Sequence, residues 1–159
     1  MTKWTEWIPI DDAISGNRRL AKHGIYQIRA VTPRGKPIRI NRLLGADTEG
    51  ILYVGRSGLK PRSPLRTIAN RLREFLARGR HSGGITYANA CSCLSGARRF
   101  AGHRLEVRAM FLDDNITETE WRVLATYFEK HAELPPCNSS AGARPKDVAT
   151  QQPIEAACQ

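Results

Sequence analysis

Gly24-Ile25-Tyr26-Gln27-Ile28-Arg29-Ala30-Val31 alternates apolar with polar side chains and is rich in β-branched and aromatic ones, the pattern of a strand with one face buried. Downstream, Thr32-Pro33-Arg34-Gly35-Lys36-Pro37 reads as a turn and residues 38–40 as a short strand. Gly50-Ile51-Leu52-Tyr53-Val54-Gly55 is then a compact apolar run bounded by glycines, so two antiparallel strands are predicted to open the domain. Leu105, Val107, Ala109 and Phe111, alternating with Glu106, Arg108 and Met110, predict a third strand that ends at Asp113-Asp114-Asn115.

Helices are expected between these strands. Ser63-Pro64 has the form of an N-cap with proline at the first helical position, and Gly79 sits where a helix would stop. Ile68, Leu72, Phe75 and Leu76 give that helix an apolar face. At about 100° per residue, Arg71 and Arg78 lie on one rim of that face, about 60° and 80° from Ile68, while Arg66 and Arg73 point to the opposite side. Thr117-Glu118-Thr119-Glu120 has the capping-box form and predicts a last helix with Trp121, Leu124, Ala125, Phe128 and Ala132 as its apolar face, stopped by Pro135-Pro136. Residues 83–100 read as a further helix interrupted by Gly and Ser. The predicted fold class is α/β (α+β), a small three-stranded mixed or antiparallel sheet flanked by helices, with an N-terminal arm over 1–20, a body over 21–140 and a loosely ordered tail over 141–159.

The 159 residues are enough for one domain with a core. Against 15 Asp+Glu stand 25 Lys+Arg, 19 of them Arg, for a formal charge of +10. Residues 17–108 hold 20 of these cations against Asp47, Glu49, Glu74 and Glu106, a net of +16, and the remainder nets −6. Arginine favours planar, bidentate contact with phosphate, so a nucleic-acid partner is expected. No apolar run approaches a membrane span and the first residues lack a cationic-then-apolar signal layout, so no membrane partner and a cytoplasmic location are expected. Cys91-Ser92-Cys93 lacks zinc-knuckle spacing, and these two with Cys137 and Cys158 read as small side chains or free thiols.

Gly24-Ile25-Tyr26 and Tyr53-Val54-Gly55 on neighbouring strands, then Arg71 in the next helix, Glu120 in a later helix, and Pro135-Pro136-Cys137-Asn138, stand in the order and register of the GIY-YIG nucleases. The resemblance covers residues 24–138. The chain departs from the pattern in a long Pro-, Arg- and Ser-rich stretch over 56–67, and in Phe75, where many members have a histidine. The resemblance implies the GIY-YIG nuclease fold over 21–140, and a metal-dependent DNA endonuclease (a hydrolase of phosphodiester bonds) that uses in-line attack of water. It also implies a divalent metal, Mg2+ or Mn2+, held by Glu120.

The chemistry asks for a metal and a cation aimed at the phosphate and the departing oxygen, which Glu120 and Arg71 can supply. Glu120 has a second reading as the returning member of the capping box, and Glu118 is the lesser alternative ligand. Tyr26 and Tyr53 are expected to bring hydroxyls to the site; which one takes a proton stays open, and the resemblance favours Tyr53. His81 is read as a proton acceptor or phosphate ligand against an incidental loop histidine, and Asn138 as a hydrogen-bonding site residue against a turn former. Arg56 is placed at the scissile phosphate, and DNA contacts are expected from Arg62, Arg66, Arg73, Arg78, Arg98, Arg99 and Arg104. A homodimer is expected if both strands are cut. The other readings are a catalytically silent nucleic-acid-binding module of the same fold and a nuclease acting with a partner protein.

Overall fold

The computed structural model describes residues 3–15, 20–58, 67–77, 81–93, 100 and 102–141. In chain order the elements are β1 (Ile8–Pro9), α1 (Ile10–Ile14), β2 (Gly24–Val31), β3 (Ile40–Asn41), β4 (Ala46–Asp47), β5 (Ile51–Ser57), α2 (Ile68–Leu76), α3 (Ser82–Ser92), β6 (Arg104–Phe111) and α4 (Ile116–His131). The main sheet has the order β1-β6-β2-β5, and every strand pair among the described residues is antiparallel. The three predicted long strands are present, but the sheet has four strands rather than three. Ile8 and Pro9, within the stretch read as an arm, pair with Val107 and Glu106 at the outer edge of β6. Two residues are too few to leave an alternation in the sequence. Where a short strand was expected over 38–40, β3 and β4 form a separate two-stranded ribbon.

Helices cover both faces. On one, Ile68, Leu72 and Phe75 of α2 and Ile10 and Ala13 of α1 pack on Tyr26, Ile28, Val107 and Ala109. On the other, Leu124 and Tyr127 of α4 pack on Ile51 and Val54. Burial of these side chains is the main favourable term holding the layers together.

Two helix starts differ from expectation. Thr67 is extended (φ −74°, ψ 166°) and its hydroxyl accepts the Asn70 N–H, so α2 begins at Ile68 and not behind Ser63, which lies with Pro64 outside the described residues. Helix α4 begins two residues earlier than the capping box requires. Asn115, left-handed at φ 50°, precedes Ile116, and no side chain caps the end. Thr117 therefore sits inside the first turn, and Glu120 is a buried side chain on the sheet-facing side rather than a capping partner.

The inner face of α4 also differs. It carries Glu120, Leu124, Tyr127 and His131, whereas Phe128 is 51% exposed. Polar side chains can turn inward here because they find partners. Asp47 accepts hydrogen bonds from the backbone of Glu49, Gly50 and Ile51 and from the Tyr127 hydroxyl, tying the entry of β5 to α4. Among the described residues no helix is long and apolar enough to cross a membrane.

Candidate active site

Strand register brings the two tyrosines together. In the β2–β5 ladder Tyr26 faces Gly55 and Ile28 faces Tyr53, so the tyrosines are diagonal neighbours on one face, with ring centroids 6.0 Å apart. Gly55 makes this possible. A Cβ there would lie 2.5 Å from Tyr53 Cε1 and 2.8 Å from the Tyr26 hydroxyl oxygen, so any side chain would force the two rings to shift. Gly83 at the start of α3 does the same from above, since its Cβ would lie 2.8 Å from the Tyr53 ring. Burial, with the neighbouring Tyr53 adding, pushes the Tyr26 phenol well above its ordinary pKa. Burial also raises Tyr53, while the Arg71 charge pulls it back down. Both are protonated phenols at neutral pH.

Tyr53 forms a wall of a cleft of about 220 Å³ at the β5 edge of the sheet. Arg56 enters it from β5, Arg71 from α2, Ser82 from α3, Glu120 from α4, and Asn138 from the segment that follows α4. Five separate pieces of chain thus meet where the helical layers of both faces reach the sheet's edge. Arg71 pairs with Glu74 on its own helix. Arg56 Nη1 stands 3.0 Å from Glu120 Oε2. Burial raises the Glu120 carboxyl, and Arg56 first and Arg71 second oppose that rise. Glu120 is the one carboxylate among the described residues lining the cleft.

The expected site residues divide clearly. Tyr53, Arg56, Arg71, Glu120 and Asn138 line the cleft, and Tyr26 lies fully buried behind it with its hydroxyl beside Arg71 and Tyr53. Asn138 acts on the backbone. Its Oδ1 accepts the Val54 N–H at 2.9 Å and its Nδ2 donates to the Val54 carbonyl at 2.8 Å, so the amide stands in for a strand along the free edge of β5. His81 has its ring edge on Tyr53, with centroids 5.0 Å apart, but its Nδ1 accepts the Gly84 N–H as the cap of α3. Its proton is therefore on Nε2, and burial, aided by the Arg71 charge, lowers its pKa from 6.5 to about 4. In that tautomer Nε2 carries the ring proton and has no hydrogen-bond partner among the described residues.

Of the arginines assigned to DNA, Arg73 bonds Asn70 and the Ile14 carbonyl, and Arg104 bonds the Pro33 carbonyl; neither lines the cleft. Arg62, Arg66, Arg78, Arg98 and Arg99 lie outside the described residues, as does Cys158. Cys91, Cys93 and Cys137 are free thiols. Sequence reading missed Gly83 and Ser82; their signal is the Ser82-Gly83-Gly84 run after His81, a helix start with two glycines where it meets the Tyr53 ring and the Phe75 backbone of α2.

Among the described residues no three His, Cys, Asp or Glu side chains gather into a metal cluster. The donor set at the cleft is a single hard oxygen ligand opening on a polar space. That fits an ion which keeps most of its own waters, as Mg2+ does, and not a closed all-protein cage. The chain matches no protein-family model, no curated protein and no solved structure.

Proposed function

We propose that the chain is a metal-dependent DNA endonuclease of the GIY-YIG type, with this cleft as its active site. The observation that carries the reading is the convergence of Tyr53, Arg56, Arg71 and Glu120 on one cleft, over a second buried tyrosine. The ordered motifs pick out Tyr26, Tyr53, Arg71 and Glu120, Arg56 follows the second motif directly, and the set comes from residues up to 94 positions apart.

Each group has a task that its surroundings suit. Arg71 is anchored at one side by Glu74 and presents its remaining donors to the cleft, where a guanidinium can hold two non-bridging oxygens of a phosphate as charge builds on them. Tyr53 can accept a hydrogen bond from the attacking water and donate its own, and Arg71 favours its ionised form. The water oxygen bonds to phosphorus as the bond to the 3′ oxygen breaks; the water's proton passes to Tyr53 once that phenol has given up its own to solvent, and the departing 3′ oxygen takes a proton from solvent. Tyr26 supports Tyr53 from behind. Glu120 would hold Mg2+ or Mn2+, which when bound supplies positive charge to the phosphate and the departing oxygen. Asn138 and His81 are positioning residues, one fixing the β5 edge and the other the start of α3. One such cleft per chain cuts one strand at a time, and a homodimer would cut both together.

The test is incubation of the purified protein with supercoiled plasmid, branched DNA and single-stranded DNA, each with Mg2+, Mn2+ or EDTA. Cleavage of DNA with metal and none with EDTA is expected. Binding without cleavage on every substrate would favour the silent module of the same fold.

A further inference from the structure

Arg56 follows Tyr53-Val54-Gly55 on β5, and its guanidinium stands against Glu120 with both side chains largely buried, at 18% and 11% exposure. The approach is 3.0 Å, yet Nη1 makes no hydrogen bond. The pair is held by Coulomb attraction in a poorly screened place, not by directed geometry. Without that cation the buried carboxylate would keep only the weaker pull of Arg71 as counter-charge. A divalent ion bound to Glu120 needs the same carboxylate and would repel the same guanidinium. Arg71 differs in this respect, since its partner Glu74 lies on its own helix and not on the carboxylate in question. The residues after Arg56 in the cleft wall, Ser57 and Gly58, present no bulky side chain to obstruct its movement.

Resting on the nuclease reading above, we propose that Arg56 is an exchangeable counter-ion. It neutralises Glu120 in the metal-free protein, is displaced when a divalent ion takes the carboxylate, and is thereby released into the cleft to bind a backbone phosphate of DNA. Metal and DNA then favour each other through one side chain, and by linkage each raises the affinity for the other by the same factor.

The test uses the full chain and two readouts that need no cleavage. Mn2+ is titrated calorimetrically into DNA-free protein at mildly alkaline pH, where carboxylates stay ionised. Duplex DNA binding is followed by fluorescence anisotropy in Ca2+ and in EDTA. Arg56→Ala is expected to bind Mn2+ about fivefold tighter than the unaltered chain, or more. The unaltered chain is expected to bind duplex about fivefold tighter in Ca2+ than in EDTA, and Arg56→Ala to lose most of that gain. Arg56→Gln, which keeps the bulk without the charge, is expected to behave as Arg56→Ala does, so a folding defect in one variant does not decide the result. Glu120→Ala separates the two levels of the argument. Mn2+ binding lost in Glu120→Ala but no tighter in either Arg56 variant would overturn the exchange alone. Mn2+ binding unchanged in Glu120→Ala would overturn the metal site and the exchange with it.

Discussion

His81 caps α3 with a ring nitrogen, and that choice has a pH signature. Its pKa is 6.5 in an unfolded chain and about 4 in the folded one, so between those values the unfolded state holds the proton more tightly. Stability is expected to be full above about pH 6.5 and to be lost as the pH falls toward 4, by about 1–2 kcal/mol after screening by nearby solvent. Urea unfolding across that window measures the loss. His81→Asn keeps a capping acceptor without a titrating ring, and is expected to remove most of the slope while lowering stability at neutral pH, because the ring contacts with Tyr53 and Phe75 are lost. Gly55 makes a different demand. Gly55→Ala would press a methyl group into Tyr53 and Tyr26 and is expected to cost about 1–3 kcal/mol by overpacking. The variant should still fold, as thermal melting would show, while cleavage is lost because both hydroxyls are displaced. A fully active, unperturbed Gly55→Ala protein would show that the close approach of the tyrosines is not needed.

Among the elements, β5 contributes most to the site because it is an edge strand with its open side covered. Cys137 N–H donates to the Leu52 carbonyl and Asn138 brackets Val54, so the segment after α4 pairs with the edge that would otherwise be free. Asn138→Ala is expected to cost about 1–3 kcal/mol and to speed amide hydrogen exchange at Val54 more than at β2 residues. Equal exchange at both strands would mean the amide contributes nothing local. The strands β2, β5 and β6 were legible in the sequence, because each is long enough for alternation or a glycine-bounded apolar run to register. Strand β1 was not, since its two residues carry no period. The inner face of α4 was misread for a more instructive reason. Hydrophobic periodicity selects Phe128, but Glu120, Tyr127 and His131 turn inward, the first two because Arg56 and Asp47 wait for them from other parts of the chain. A helix whose inward side chains are chosen by distant polar partners cannot be phased from its own residues.

At the scale of the molecule, the +10 charge is less free than a count suggests. Arg29 pairs with Glu106 and lies over Trp7, Arg108 pairs with Glu49 and stacks on Trp4 and Trp7, and Arg42 pairs with Glu133. These arginines pin the N-terminal segment to the sheet and the ribbon to the segment after α4, a role that composition cannot separate from phosphate binding. The candidate site was legible to a greater degree, because Tyr53, Arg71 and Glu120 stand in an order and spacing that the fold then gathers at one edge. What the sequence could not show is that Arg56 would sit on Glu120, since contact between residues 64 positions apart exists only once β5 and α4 are packed. The account's central claim is that the Glu120 carboxylate in this cleft makes the chain a metal-dependent nuclease. The most direct measurement is Mg2+-dependent cleavage of plasmid by the unaltered chain and by Glu120→Ala, with DNA binding followed in the same samples. The account expects cleavage to fall about a hundredfold or more in Glu120→Ala while binding stays within a few-fold. Cleavage at the unaltered rate in Glu120→Ala would contradict it.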